Sequence, residues 1–295
     1  MTGMRKLGFA AAVLVAASGV TVGAAAGDGG PSPGASVGGP GVLGRKGAVR
    51  YVALWAGNKT VVAASRTRGG AVLRSGLVAG AYGIPLVAYD GSAGGLSRDG
   101  RTLVLTSFTT PPQPGAVTRF AVLSTRTLRP REVVTLRGSY SFDALSPDGS
   151  TLYAIEYLQS AGPAARYRVR AVDLVTHRLV AGAIVDRREP DEQMQGAPVT
   201  RAESSDGAWA YTLYRKDAGP AFVHALDTTH RTAVCVDLPW TDRKGALWSA
   251  RMRLVRGGSL LAIDEPGVGR LAVVDTHSFK VRAFRQPVAP GDQSG

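Results

Sequence analysis

The chain has 295 residues, 44% hydrophobic and 19% charged, which supplies enough apolar material for a sizeable core and too little charge for a disordered polyelectrolyte. Its 35 lysines and arginines against 22 acids give +13, a long-range bias toward anionic lipid, wall polymer or nucleic acid. No basic run interleaved with aromatics is present, so no specific nucleic-acid site is expected, and a single cysteine, Cys235, leaves no route to an intramolecular disulfide or a cysteine-based metal site.

Arg5 and Lys6 precede the uncharged apolar stretch Leu7 to Val22, and Ala24-Ala25-Ala26 follows as a peptidase-compatible end. Residues 1–26 therefore read as a secretory signal, with attachment to the membrane only if the segment stays uncleaved. Loss of that segment would leave 33 bases against 22 acids. Residues 27–47 (GDGGPSPGASVGGPGVLGRKG) are dominated by Gly, Pro and Ser; they have too little apolar surface to offset the entropy of ordering and read as a flexible linker. Residues 48–288 form the folded domain and 289–295 a flexible tail.

Within 48–288 nearly everything reads as short strands separated by turns, and no window carries a helical stripe. Five units of four strands can be laid out. The first is YVALWA, KTVVAAS, AVLRSG and IPLVAY. The second comprises the Gly94-Gly95-Leu96 segment, RTLVLTSF, TRFAVLST and REVVTL. The third is SFDALS, TLYAIEY, RYRVRAVDL and RLVAGAIV; the fourth, PVTRAES, AWAYTLY, AFVHALDT and RTAVCVDL; the fifth, LWSARMRLV, SLLAIDE, RLAVVDT and KVRAF.

Two markers keep this register. The turn glycines Gly100, Gly149 and Gly207 are spaced 49 and 58 residues apart, and Gly258 follows after 51. Ser124, Asp173, Asp227 and Asp275 step by 49, 54 and 48. Each has a structural job. In Ser97-Arg98-Asp99-Gly100, Ser146-Pro147-Asp148-Gly149 and Ser205-Asp206-Gly207, the aspartate bonds its own backbone and glycine takes the left-handed position. Asp173, Asp227 and Asp275 cap hairpins. A unit of four short strands cannot bury its own faces, so the repeats must pack on one another.

The phrase Ser146 to Gly149, then TLYAIEY, then VRAVDLVTHRLVAGAIV resembles secreted bacterial β-propeller proteins of the WD-like and YVTN-repeat kind, over roughly residues 90–285. The Trp-Asp and Gly-His dipeptides of eukaryotic WD repeats are absent. The resemblance implies an all-β propeller of four-stranded blades, five by the present register with six or seven left open. It also implies that the first strand of each unit lines a central channel, and that ligands bind on the face opposite the Asp-Gly turns.

On that opposite face the units differ. The residues ending the central strands are Glu156, Tyr214 and Asp264 or Glu265, and the insertions after Val185 and Leu238 add Asp186, Glu189 and Trp240. These seven are the ligand-face candidates, suited to a glycan or cationic peptide. Paired carboxylates could in principle hydrolyse a glycosidic bond, which gives the alternative of a hydrolase or lactonase-like enzyme with an acidic site at the mouth. No catalytic residue is assigned, since no nucleophile elbow, phosphate loop or calcium loop occurs. No metal ligand set or cofactor is expected either: His177, His230 and His277 fall in equivalent turns around the rim, and His224 stands alone. The leading expectation is a secreted, non-enzymatic scaffold binding an envelope protein or wall polymer.

Overall fold

The computed structural model describes residues 33–108, 115–158, 165–191, 193–217, 219–242 and 245–288. The expected signal segment 1–26 and tail 289–295 lie outside them. The fold is an all-β propeller of five four-stranded antiparallel sheets, or blades. Blade I is β2 (Val42–Leu43), β3 (Val49–Ala56), β4 (Lys59–Arg66) and β5 (Val72–Ala79); blade II is β6 (Tyr82–Pro85), β7 (Thr102–Ser107), β8 (Val117–Ser124) and β9 (Pro130–Arg137). Blade III is β10 (Tyr140–Leu145), β11 (Thr151–Tyr157), β12 (Tyr167–Asp173) and β13 (Arg178–Leu179). Blade IV is β14 (Ala197–Glu203), β15 (Trp209–Arg215), β16 (Pro220–Asp227) and β17 (Thr232–Thr241). Blade V is β18 (Arg251–Val255), β19 (Leu260–Glu265), β20 (Gly269–Asp275) and β21 (Val281–Ala283). The short strand β1 (Ala35–Ser36) pairs with the channel-side edge of β6.

The turn chemistry is that expected from the repeats. Ser97 Oγ donates to Asp99 Oδ1 at 2.6 Å, Asp99 Oδ1 accepts from Arg101 N at 2.9 Å, and Ser97 Oγ accepts from Thr102 N at 3.0 Å. Ser146 and Asp148 repeat the arrangement. In blade IV the serine that acts is Ser204, one residue before the Ser205 of the sequence phrase. Gly100, Gly149 and Gly207 all have positive φ, of 73°, 71° and 78°. Asp173, Asp227 and Asp275 each accept two backbone N–H bonds from the next turn. Four residues after each marker of the second series, Leu128, His177, Arg231 and Phe279 close the hairpin with a left-handed backbone.

The first unit is corrected in register. Ile84 and Pro85 belong to β6, the inner strand of blade II, and the missing strand of blade I is β2, drawn from within the 27–47 stretch that composition marks as linker. A paired motif fixes this. Thr60 Oγ1 donates to Gly80 O and accepts from Tyr82 N, and Thr118 Oγ1 does the same with Gly138 and Tyr140. Tyr82 and Tyr140 thus open equivalent inner strands.

Central strands are buried on both faces, which is why TLVLTS and TLYAIEY are nearly continuous apolar runs. Leu103 and Leu105 enter the seam between blades I and II, whereas Val104 enters that between II and III. Tyr153 and Leu226 fill the III/IV seam; Leu213, Val223, Leu261 and Ile263 fill the IV/V seam. Each such side chain contributes about 1.5–3 kcal/mol on burial. Among the described residues there is no fifth seam of this kind. Among the described residues no core cluster, hydrogen bond or ion pair joins blade I to blade V. The outer face of blade I leaves Leu54 and Leu77 at 40% and 58% exposure, and the outer face of blade V presents Arg251, Arg253 and Arg282 to solvent.

Candidate functional site

The channel-lining strands break their pairing at equivalent points. In β10 the register shifts across Asp143, and in β14 across Val199. Blade II carries a larger break: Tyr82 and Gly83 pair with the end of β7, Leu96 pairs with its start, and Leu86 to Gly94 between them leave the ladder with β7. That excursion crosses the channel. Tyr89 N and Asp90 N donate to Pro198 O and Val199 O of blade IV at 2.9 and 3.1 Å, and the Tyr89 ring meets Trp248 edge-on at 5.4 Å. Leu86 N donates to Gly34 O, so β1 and the excursion together occupy the axis.

Below this plug, on the turn face, lies a cavity of about 390 Å³ bordered by blades I to IV. Its walls include the β2 segment, Gly94 and Gly95, Phe142 and the base of β14. Gly94 has to be glycine because a Cβ there would meet Phe142 Cε1 at 2.6 Å, and at Gly95 a Cβ would overlap Val104 O. Three guanidinium groups border the space, Arg45, Arg50 and Arg98, against one bordering carboxylate, Glu203. The Arg50 and Arg98 Nε atoms are buried with no hydrogen-bond partner. An unpaired guanidinium N–H out of contact with water is costly, and the planar fork suits a phosphate or carboxylate. A more open groove of about 650 Å³ beside Lys46, Arg66 and Arg68 is built from one blade alone.

The seven ligand-face residues inferred from the sequence do not form one constellation. Glu156 accepts from Arg168 Nε at 2.7 Å, Arg170 Nη1 at 2.9 Å and Tyr140 Oη at 2.9 Å. Burial opposes its charge, but these bonds outweigh it and hold the carboxyl below its ordinary range, while burial and the Glu156 bond push Tyr140 up to about 12. Tyr214 is buried in the III/IV seam, stacked on Phe222, and burial raises its hydroxyl well above the usual range. Asp264 is bonded by Arg253 and Arg270, and Glu265 is buried, accepting from Ser249 Oγ and Val288 N. Trp240 sits in the IV/V core. Asp186 and Glu189 do converge, on a small cleft between blades III and IV. There the Asp186 carboxylate binds Arg188 and Cys235 N; burial opposes its charge, and these bonds bring it down to about 2.

Sequence reasoning missed two features. One is a buried ion pair between inner strands: Arg201 donates to Asp143 Oδ1 at 2.7 Å and to its carbonyl at 2.9 Å, with both side chains at most 4% exposed. The other is the apposition of His224 and Cys235, direct cross-strand partners in the β16–β17 hairpin, with His224 Nδ1 3.7 Å from Cys235 Sγ. Burial lowers the imidazole to about 4, so it is neutral. The signal was present: once Asp227 pairs with Thr232, antiparallel counting places 224 opposite 235.

No protein-family model and no curated protein matches the chain. It is similar to the solved β-propeller domain of Cps50 (Swd1) from Myceliophteria thermophila, with a TM-score of 0.46 and 13% identity over 86% of this chain and 71% of that one. It is also similar to a Bacteroides uniformis protein assigned as a 6-phosphogluconolactonase, with a TM-score of 0.45 and 15% identity over 82% of this chain and 68% of that one. A third similar structure is Kuenenia stuttgartiensis hydrazine synthase, with a TM-score of 0.40 and 16% identity over 79% and 75% of the two chains. The fold assignment rests on the strand pairing itself.

Proposed function

We propose that the protein is an exported, non-enzymatic β-propeller acting as a binding scaffold at the cell envelope, and that it takes an anionic group of a wall polymer or envelope protein into the turn-face cavity. The observation that carries this reading is the pair of buried guanidinium Nε atoms without hydrogen-bond partners, those of Arg50 and Arg98, bordering a cavity to which four blades contribute. Charge at long range favours the same partners, since the mature chain's 33 bases still outnumber its 22 acids. The hydrolytic alternative would draw on Glu156 or Asp264, and each of those carboxylates is already held by two arginines.

Calorimetric titration with poly(glycerol phosphate) tests the proposal. Binding should weaken at least about tenfold in the Arg50→Gln/Arg98→Gln double variant and fall as salt is raised. Undiminished binding in that variant would place the polymer elsewhere. Export is checked separately by N-terminal sequencing of the mature protein, where a start at Gly27 is expected.

A further inference from the structure

We propose that His224, Cys235 and Met194 bind a single soft metal ion, for which monovalent copper is the best match. All three line one cleft between blades III and IV, together with Tyr167, Asp186 and Glu189. The cleft holds about 20 Å³, the room of one water-sized occupant. His224 is 2% exposed, and its Nδ1, the ring nitrogen that would bind the ion, lies 3.7 Å from Cys235 Sγ. A buried imidazole whose Nδ1 has no oxygen or nitrogen partner among the described residues and faces a sulfur presents that nitrogen and the sulfur to one ion.

The separation fits one ion. With bonds of about 2.3 Å to sulfur and 2.1 Å to nitrogen, atoms 3.7 Å apart subtend an angle of about 115° at the metal, between the tetrahedral and trigonal values. Among the described residues no set of three His, Cys, Asp or Glu is placed to hold a metal; the third donor here is a thioether. Thiolate, thioether and imidazole together select Cu(I) over hard ions. The neighbouring Asp186 carboxylate is committed to Arg188 and Cys235 N, so it offers little to Mg²⁺ or Ca²⁺. Binding replaces the thiol proton: a Cu–S bond forms, the S–H bond breaks, the proton leaves to solvent, and no electron is transferred.

The test uses the reduced full chain under anaerobic conditions, titrated with Cu(I) in competition with a bathocuproine chelator. One equivalent should be retained, with a thiolate-to-copper absorption band in the ultraviolet. Cys235→Ser should abolish the band and cut affinity at least about a hundredfold, and Met194→Leu, which keeps the volume, should weaken retention about tenfold. Both positions are only partly buried, and unchanged circular dichroism would certify their folds. Failure of the wild type to retain copper, or undiminished retention in Cys235→Ser, overturns the site and leaves a thiol–imidazole hydrogen bond. Unchanged retention in Met194→Leu overturns the three-donor assignment.

Discussion

On the face opposite the Asp-Gly turns, Glu156 is gripped by Arg168 and Arg170 and Asp264 by Arg253 and Arg270, while in the cleft between blades III and IV Asp186 is held by Arg188. On the turn face, Arg50 and Arg98 border a cavity with buried Nε atoms that have no hydrogen-bond partner, although Arg98 also lies near enough to Asp206 to join the Ser204 hydrogen bond in lowering its carboxyl. Both faces are charged, but the acids named on the first are already paired, whereas these two arginine Nε atoms on the second are not. An ion pair spends its electrostatic capacity within the molecule, while an unpaired guanidinium beside an open volume keeps it for a ligand. The number of carboxylates at a mouth is therefore a poor guide to a site unless their partners are counted as well.

This contrast can be broken by exchanging paired and unpaired charges. The largest effect is expected at the buried pair: Arg201→Met leaves Asp143 charged and alone among buried groups and should cost about 3–5 kcal/mol in chemical denaturation. A loss below about 1 kcal/mol would mean that the pair matters little. Next, Glu156→Gln leaves two arginines without their anion; because Arg168 is partly solvated, about 1–2 kcal/mol is expected from the same measurement. By contrast Arg50→Gln and Arg98→Gln should each stay within about 0.5 kcal/mol of wild type while weakening anion binding. A destabilisation as large as that of Glu156→Gln would show that these arginines support the fold.

The smallest effect concerns pH. Hydrogen bonds from Ser146 and Ser204 hold the Asp148 and Asp206 carboxyls below their ordinary range. Their contribution is therefore fully present above the unfolded carboxylate range and is lost as pH falls through the lowered folded value. Asp148→Asn should flatten the acid limb of the stability profile slightly, measured by thermal melts from pH 6 downward; an unchanged limb would assign the acid sensitivity to other groups.

Blades III to V and the three outer strands of blade II were legible because their signals are local: Ser-x-Asp-Gly turns, aspartate-capped hairpins and apolar runs each arise within a dozen residues, whereas blade II's inner strand, Tyr82–Pro85, falls to the first unit in the sequence register. Blade I was misread at its edges. Its inner strand is only Val42–Leu43, embedded in a Gly/Pro/Ser stretch, and what orders it is pairing with β3, a tertiary effect that composition does not carry. The Thr60, Gly80, Tyr82 set and its copy at Thr118, Gly138, Tyr140 would have fixed the register from sequence. For the candidate site the limit is similar. Glu156 opposite Arg168 and His224 opposite Cys235 follow from hairpin counting, but the cavity needs four blades and a broken inner strand, and no single segment encodes it.

Among the described residues no core seam joins blade I to blade V, so the packing described runs along a line of blades with two ends. A closed ring holds its last blade hostage to its first, whereas a line of blades can grow by accretion. Each finished blade offers its face to the next as the chain appears, so most core contacts join consecutive units and the entropy of closing long loops is met in small instalments. One part has to wait: the excursion before Gly95 can seat only after Pro198 and Val199 have arrived. The axis should therefore be the last region to acquire protection during refolding, after the blades around it have formed.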